Sequence, residues 1–143
     1  MSIIEESVAE VLVQPSVTIS LSIVIPCYNE VDNLRPLVDE RTAVCDPLPL
    51  DYEIIFIDDG SNDGSYELIK QLHEEHQQIT AVRFRRNFGQ TAGFAAGFDL
   101  ARGDVIITMD ADRQNDPADI PQLLAKLDEG HDVVNGWRQN RQD

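Results

Sequence analysis

Positive charge is scarce in this chain: 11 Lys and Arg stand against 26 Asp and Glu, a formal net charge of −15 over 143 residues. No basic face large enough for a nucleic acid can be assembled from so few cations, so no nucleic-acid partner is expected. Cysteine is scarcer still. Cys27 and Cys45 form no Cys-x-x-Cys pair and have no matching His spacing, which argues for free thiols in a reducing compartment and against a zinc site. No apolar run reaches the ~18 residues of a membrane span, and the first residues lack the basic-then-apolar pattern of a signal peptide. A cytoplasmic location is therefore expected. Glycine is missing where a dinucleotide would need it: the first strand exit reads Pro26-Cys27-Tyr28-Asn29-Glu30, with no Gly-x-Gly-x-x-Gly turn, and no P-loop follows elsewhere. NAD and FAD are not expected on that ground.

What is present is an alternation of apolar strands and amphipathic helices. Residues 1–18 read as a loosely held leader, in which Val8, Val11 and Leu12 could form a short helix. Ile19–Ile25 reads as a strand closed by Pro26, and a helix follows from about Val31–Asn33 to Val44, with Pro36 in its first turn. Tyr52–Ile57 is a second strand, followed by a helix ending near His76. Ile79–Phe84 is a third, followed by a helix over Gln90–Arg102. Gly93 and Gly97 cost that helix roughly 1 kcal/mol each against alanine, which signals close approach to a neighbour or a ligand. Gly103 reads as its C′ residue. Val105–Met109 is the fourth strand, a helix runs from Asp116-Pro117 to Gly130, and Asp132–Asn135 is a fifth strand. Five such alternations imply a Rossmann-like α/β fold, a mainly parallel sheet with helices on both faces.

In such sheets ligands bind beyond the carboxyl ends of the strands, and every unusual segment falls at one. Asp110-Ala111-Asp112, with Gln114 two residues on, can aim three oxygen ligands at one hard cation, or can be a solvated acidic turn. Asp58 and Asp59 suit the N–H groups of a base and the hydroxyls of a ribose, while Asx-turn and helix-cap work accounts for part of Asn62 and Asp63. Tyr28 offers a ring face for a base or packs half-buried. Arg85, Arg86, Arg138 and Arg141 follow strands and could meet phosphate or pair with neighbouring carboxylates. His73 and His76 read as part of a solvated helix face and receive no role.

Ser22–Glu30, Asp58–Ser65 and Asp110–Pro117 together resemble the family 2 glycosyltransferases of the GT-A fold. Arg86-Asn87-Phe88-Gly89 and Gly136-Trp137-Arg138 narrow the resemblance to the polyprenyl-phosphate sugar transferases, a branch that includes the dolichol-phosphate mannose synthases. The resemblance covers residues 19–141 in order and implies a metal-dependent, inverting transfer of sugar from a nucleotide-diphosphate donor to a lipid phosphate, dolichyl or undecaprenyl. By position, it implies donor or acceptor contacts at Pro26, Tyr28, Glu30, Asp58, Asp59, Arg86, Ala111 and Arg138. Asp110, Asp112 and Gln114 would hold Mg²⁺ or Mn²⁺, and Asp110 and Asp112 are the catalytic candidates because the cation offsets leaving-group charge.

The resemblance also sets expectations about extent. Relatives continue beyond this length with an acceptor-binding segment and often membrane anchors, so residues 19–143 are expected to be the donor-binding part of a domain truncated on its C-terminal side. Alone, the chain is expected to transfer sugar poorly or not at all, and to meet the cytoplasmic membrane face only through missing segments or partners. The alternative is a non-catalytic nucleotide-sugar-binding or partner module, with an open sheet edge that could pair with a second copy. Two positions depart from the pattern: Arg113, where relatives usually carry an apolar residue, and Gln90-Thr91, where many carry Lys-Glu.

Overall fold

The computed structural model describes residues 7–14, 19–111 and 120–121. Five strands, β1 (Val8–Leu12), β2 (Leu21–Cys27), β3 (Tyr52–Asp58), β4 (Ile79–Phe84) and β5 (Val105–Thr108), form one sheet in the order β1-β4-β3-β2-β5. β2 pairs in parallel with β3 along its whole length and with β5 on its other side, and β3 pairs in parallel with β4. Among the described residues three helices cover it: α1 (Val31–Cys45), α2 (Ser65–Glu75) and α3 (Gln90–Leu100).

Side-chain alternation along the strands makes two cores. Leu21, Ile23, Ile25, Ile54 and Phe56 face Leu34, Leu37 and Val38 of α1 and Ile69 and Leu72 of α2. Val24, Ile55, Ile57, Val82 and Phe84 face Ala96 of α3 on the opposite side. β2, β3 and β4 succeed one another in one direction, and the chain then crosses back over them to place β5 beyond β2. Right-handed crossovers taken in opposite directions put their helices on opposite faces, which is why α3 lies apart from α1 and α2.

The glycines of α3 meet the sheet. A Cβ on Gly97 would sit 2.2 Å from Val24 Cγ1, and one on Gly93 would sit 2.9 Å from Pro26 Cβ. The close neighbour is therefore β2. Gly103 is not the left-handed C′ residue expected, since Gly60, Gly64 and Gly89 are the glycines with positive φ among the described residues. Its small size is needed instead because a Cβ there would lie 2.7 Å from Ser22 N. Ser22 Oγ accepts the Gly103 N–H and donates to the buried Glu53, which also receives Arg102 through its backbone N–H and its guanidinium. That node fixes the connection from α3 into β5.

Other expectations need correction as well. Val8–Leu12, inside the stretch taken as a loose leader with helical potential, is an antiparallel edge strand on β4. A register shift between Val8 and Glu10 breaks the two-residue period, so Val8 and Val11 both reach the α3-side core while Leu12 reaches the other. The resulting i, i+3, i+4 spacing imitates a helix. Gln14 then donates to the carbonyls of His73, His76 and Ile79, and His73 Nδ1 lies 2.7 Å from the Ile79 carbonyl, so these histidines tie the edge strand to α2. Pro36 falls in the second turn of α1, at its sixth residue, because the helix already begins at Val31. The helix from Asp116, the strand over Asp132–Asn135 and its exit lie outside the described residues, apart from Ile120 and Pro121.

Candidate active site

A cleft of about 410 Å³ opens beyond the carboxyl ends of β2, β3 and β5, where the chain order reverses about β2. Connections leaving a sheet in opposite directions part there and leave a crevice. One wall is Pro26, Cys27, Tyr28 and Glu30 from the exit of β2, with Asp59 from the exit of β3. The other is Asn87, Gly89 and Gln90 at the start of α3, with Asp110 and Ala111 from the exit of β5.

The two loops after β2 and β3 hold each other. Asn29 adopts φ 52°, its N–H donates to Ser61 Oγ, and its Oδ1 accepts the Asn62 N–H. α1 has no side-chain cap of its own. Its first amides are met from the following loop instead, Glu30 N–H by Ser65 Oγ at 3.0 Å and Val31 N–H by Asp63 Oδ2 at 3.3 Å. Burial pushes the Asp63 carboxyl up, but hydrogen bonds from Ser65 and Val31 outweigh it and leave the group more acidic than usual. With its turn braced in this way, Tyr28 stands with its side chain 46% exposed at the cleft.

Asp58 and Asp59 divide their work. β3 runs through Asp58, which pairs with Cys27 and is fully buried outside the cleft wall. Burial raises its carboxyl above the ordinary carboxylate value, against hydrogen bonds from Ser61. Its Oδ1 is buried with no hydrogen-bond partner among the described residues. Asp59 lines the cleft and accepts the N–H groups of Phe88 at 2.7 Å and Gly89 at 3.0 Å. Gly60, at φ +78°, lets this loop press on the next, since a Cβ there would lie 2.5 Å from the Arg86 carbonyl carbon. Asp59 thereby anchors the N-terminus of α3.

On the far side, Asp110 Oδ1 accepts the Gln90 side-chain amide at 2.9 Å. Arg86 is exposed and lies 4.0 Å over the Phe88 ring, off the cleft wall. The Cys27 thiol is buried, and burial together with Asp58, Glu30 and Asp63 raises it well above its usual range, so it stays protonated and is no nucleophile. Asp112, Gln114 and Arg138 lie outside the described residues.

The model of the family described as glycosyl transferase family 2 matches residues 22–143. The chain belongs to that family. Solved structures with the same fold include S. aureus TarS, 19% identical over 77% of this chain and 32% of that one, with a TM-score of 0.64. The mannosyltransferase PcManGT from Pyrobaculum calidifontis, solved with GDP-Man and Mn²⁺, is 22% identical over 72% of this chain and 30% of its own, with a TM-score of 0.59. Glucosyl-3-phosphoglycerate synthase from Mycobacterium tuberculosis, solved with Mn²⁺, UDP and glucosyl-3-phosphoglycerate, is 19% identical over 76% of this chain and 39% of its own, also at 0.59. The chain thus spans between three and four tenths of the length of these structures.

Of the candidate residues in this glycosyl transferase family 2 chain, the structure gathers Pro26, Tyr28, Glu30, Asp59, Asp110 and Ala111 around one cleft. It leaves Asp58 beneath and Arg86 beside it. Cys27, Asn87, Gly89 and Gln90 also line it and were not among the candidates. The signal for Asn87, Gly89 and Gln90 was their place between a strand exit and a glycine-bearing helix start, while Cys27 closes β2 beside Tyr28. Asp110 is a hard oxygen donor of the kind Mg²⁺ or Mn²⁺ takes. Among the described residues, no group of three or more His, Cys, Asp or Glu could complete such a site. A larger cavity, of about 670 Å³, lies at the opposite end of the sheet. Its polar groups satisfy one another: Tyr52 donates to Asp46, Gln78 to Tyr52 and Arg102 to Glu53.

Proposed function

We propose that the cleft binds the nucleoside diphosphate of a sugar donor, and that the protein moves the sugar, with inversion, to a polyprenyl phosphate of the dolichyl or undecaprenyl type. The observation carrying the donor site is the arrangement across the cleft: an exposed tyrosine ring and Asp59 on one wall, Asp110 on the other. Tyr28 would stack on the base, while the lone pairs Asp59 does not spend on Phe88 and Gly89 would accept base or ribose hydrogens. Asp110, with Asp112 and Gln114, would hold Mg²⁺ or Mn²⁺. The cation would offset charge developing on the leaving diphosphate. The relatives solved with GDP-Man and Mn²⁺, and with UDP and Mn²⁺, support this donor class and cation.

The acceptor rests on the sequence resemblance at Arg86–Gly89 and Gly136–Arg138, with Arg86 and Arg138 reaching its phosphate or the donor's. A phosphate acceptor is already an anion and needs no general base, unlike a sugar hydroxyl. Among the described residues no helix is long and apolar enough to cross a membrane.

Calorimetric titration of UDP and GDP, with Mn²⁺ and with chelator, tests the donor site. Tyr28→Ala is expected to weaken binding about tenfold in both conditions, the cost of one base–aromatic stack. Asp110→Ala is expected to remove only the enhancement by Mn²⁺. Binding indifferent to Mn²⁺ and to both substitutions would overturn the reading.

A further inference from the structure

We infer that Gln90 is a positioning residue for Asp110, holding the carboxylate in the orientation that a cation and a donor diphosphate require. The inference rests on the donor-site reading above and adds a residue to it. Gln90 is the first residue of α3, and everything about the start of that helix is fixed from outside. Asp59 holds the Phe88 and Gly89 amides, and Gly89 takes φ +102° to turn the chain into the helix. One turn later Gly93 lies against Pro26 too closely for any larger residue. The Gln90 side chain is thus projected from a rigid base along its own wall of the cleft, where its Nε2 donates to Asp110 Oδ1 at 2.9 Å.

That bond uses one lone pair of one oxygen. It restrains rotation of the carboxylate about the Cβ–Cγ bond, and a carboxylate oxygen can accept more than one partner, a cation included. Partners of this kind commonly govern metal affinity because an unrestrained carboxylate must be ordered on binding. The chain of contacts runs from Asp59 through the α3 amides and Gln90 to Asp110. It joins the wall proposed to read the nucleoside to the wall proposed to hold the diphosphate. Gln90 is exposed, so its substitution has little effect on folding.

The test is calorimetry on the full chain with UDP and GDP as probes, in Mn²⁺ and in chelator, for the wild type, Gln90→Ala and Gln90→Lys. Gln90→Ala is expected to weaken binding in Mn²⁺ about tenfold while leaving binding in chelator and the thermal midpoint unchanged. Gln90→Lys, which keeps a donor within reach of Asp110, is expected to retain the Mn²⁺ enhancement that Gln90→Ala loses. Mn²⁺-dependent binding unchanged by Gln90→Ala overturns the inference alone. An equal loss with and without Mn²⁺ overturns it as well, since Gln90 would then act on the nucleotide directly. Wild-type protein that binds neither nucleotide in Mn²⁺ overturns the donor-site reading and this inference with it.

Discussion

Asp58 sets one carboxylate oxygen in the protein interior with no hydrogen-bond partner among the described residues. Burial is the main cause of its raised carboxyl, so the ionised form is less stable in the fold than in the unfolded chain. The cost is fully present above the raised folded value and disappears as pH falls towards the ordinary 3.8, below which both states are protonated. Asp58→Asn removes the charge and keeps the shape. Thermal melts are expected to show the variant about 3 °C more stable at pH 7, with the gain vanishing towards pH 4. A gain that persists in acid, or a loss at pH 7, would show that ionisation of Asp58 is not what costs stability. At this scale the acidic pair was legible in the sequence, but the division between its members was not. β3 extends one residue further than the apolar run suggests, and strand parity then buries Asp58 and turns Asp59 to the cleft.

α3 carries its small residues for the sheet rather than for a ligand. In an exposed helix, Gly→Ala adds about 1 kcal/mol of stability through backbone entropy. At Gly97 the new Cβ would meet Val24, a fully buried, β-branched side chain that cannot turn aside. Gly97→Ala is therefore expected to destabilise the fold by about 2 kcal/mol in denaturant unfolding, the opposite sign. A stabilised variant would mean that α3 does not pack on β2 as described. The need for close approach was legible from Gly93 and Gly97 four residues apart; the neighbour was not, since a ligand could have made the same demand. β1 was illegible for a different reason. A bulge shifts its pattern from a strand period to a helical spacing, and its partner β4 lies some seventy residues away in sequence. The cap of α1 was hidden in the same way, because Asp63 and Ser65 come from the loop after β3.

At the scale of the molecule, the alternation of strands and helices was enough to expect a parallel sheet with a ligand rim, because each crossover must cover a face. Strand order was beyond that reading. Nothing in the apolar runs says that β5 returns beside β2, yet that return creates the cleft and brings Asp110 opposite Tyr28. The family match over residues 22–143 accords with the sheet. Asp112, Gln114 and Arg138 are carried by the sequence alone. The central claim, that the carboxyl-end cleft is the nucleotide site, is tested most directly by amide chemical-shift mapping on the labelled chain with UDP or GDP and Mg²⁺. The account predicts shifts concentrated at Cys27–Glu30, Asp59–Ser61, Asn87–Gln90 and Asp110–Ala111. Shifts concentrated around Tyr52, Gln78 and Arg102 at the opposite cavity, or no shifts with either nucleotide, would contradict it.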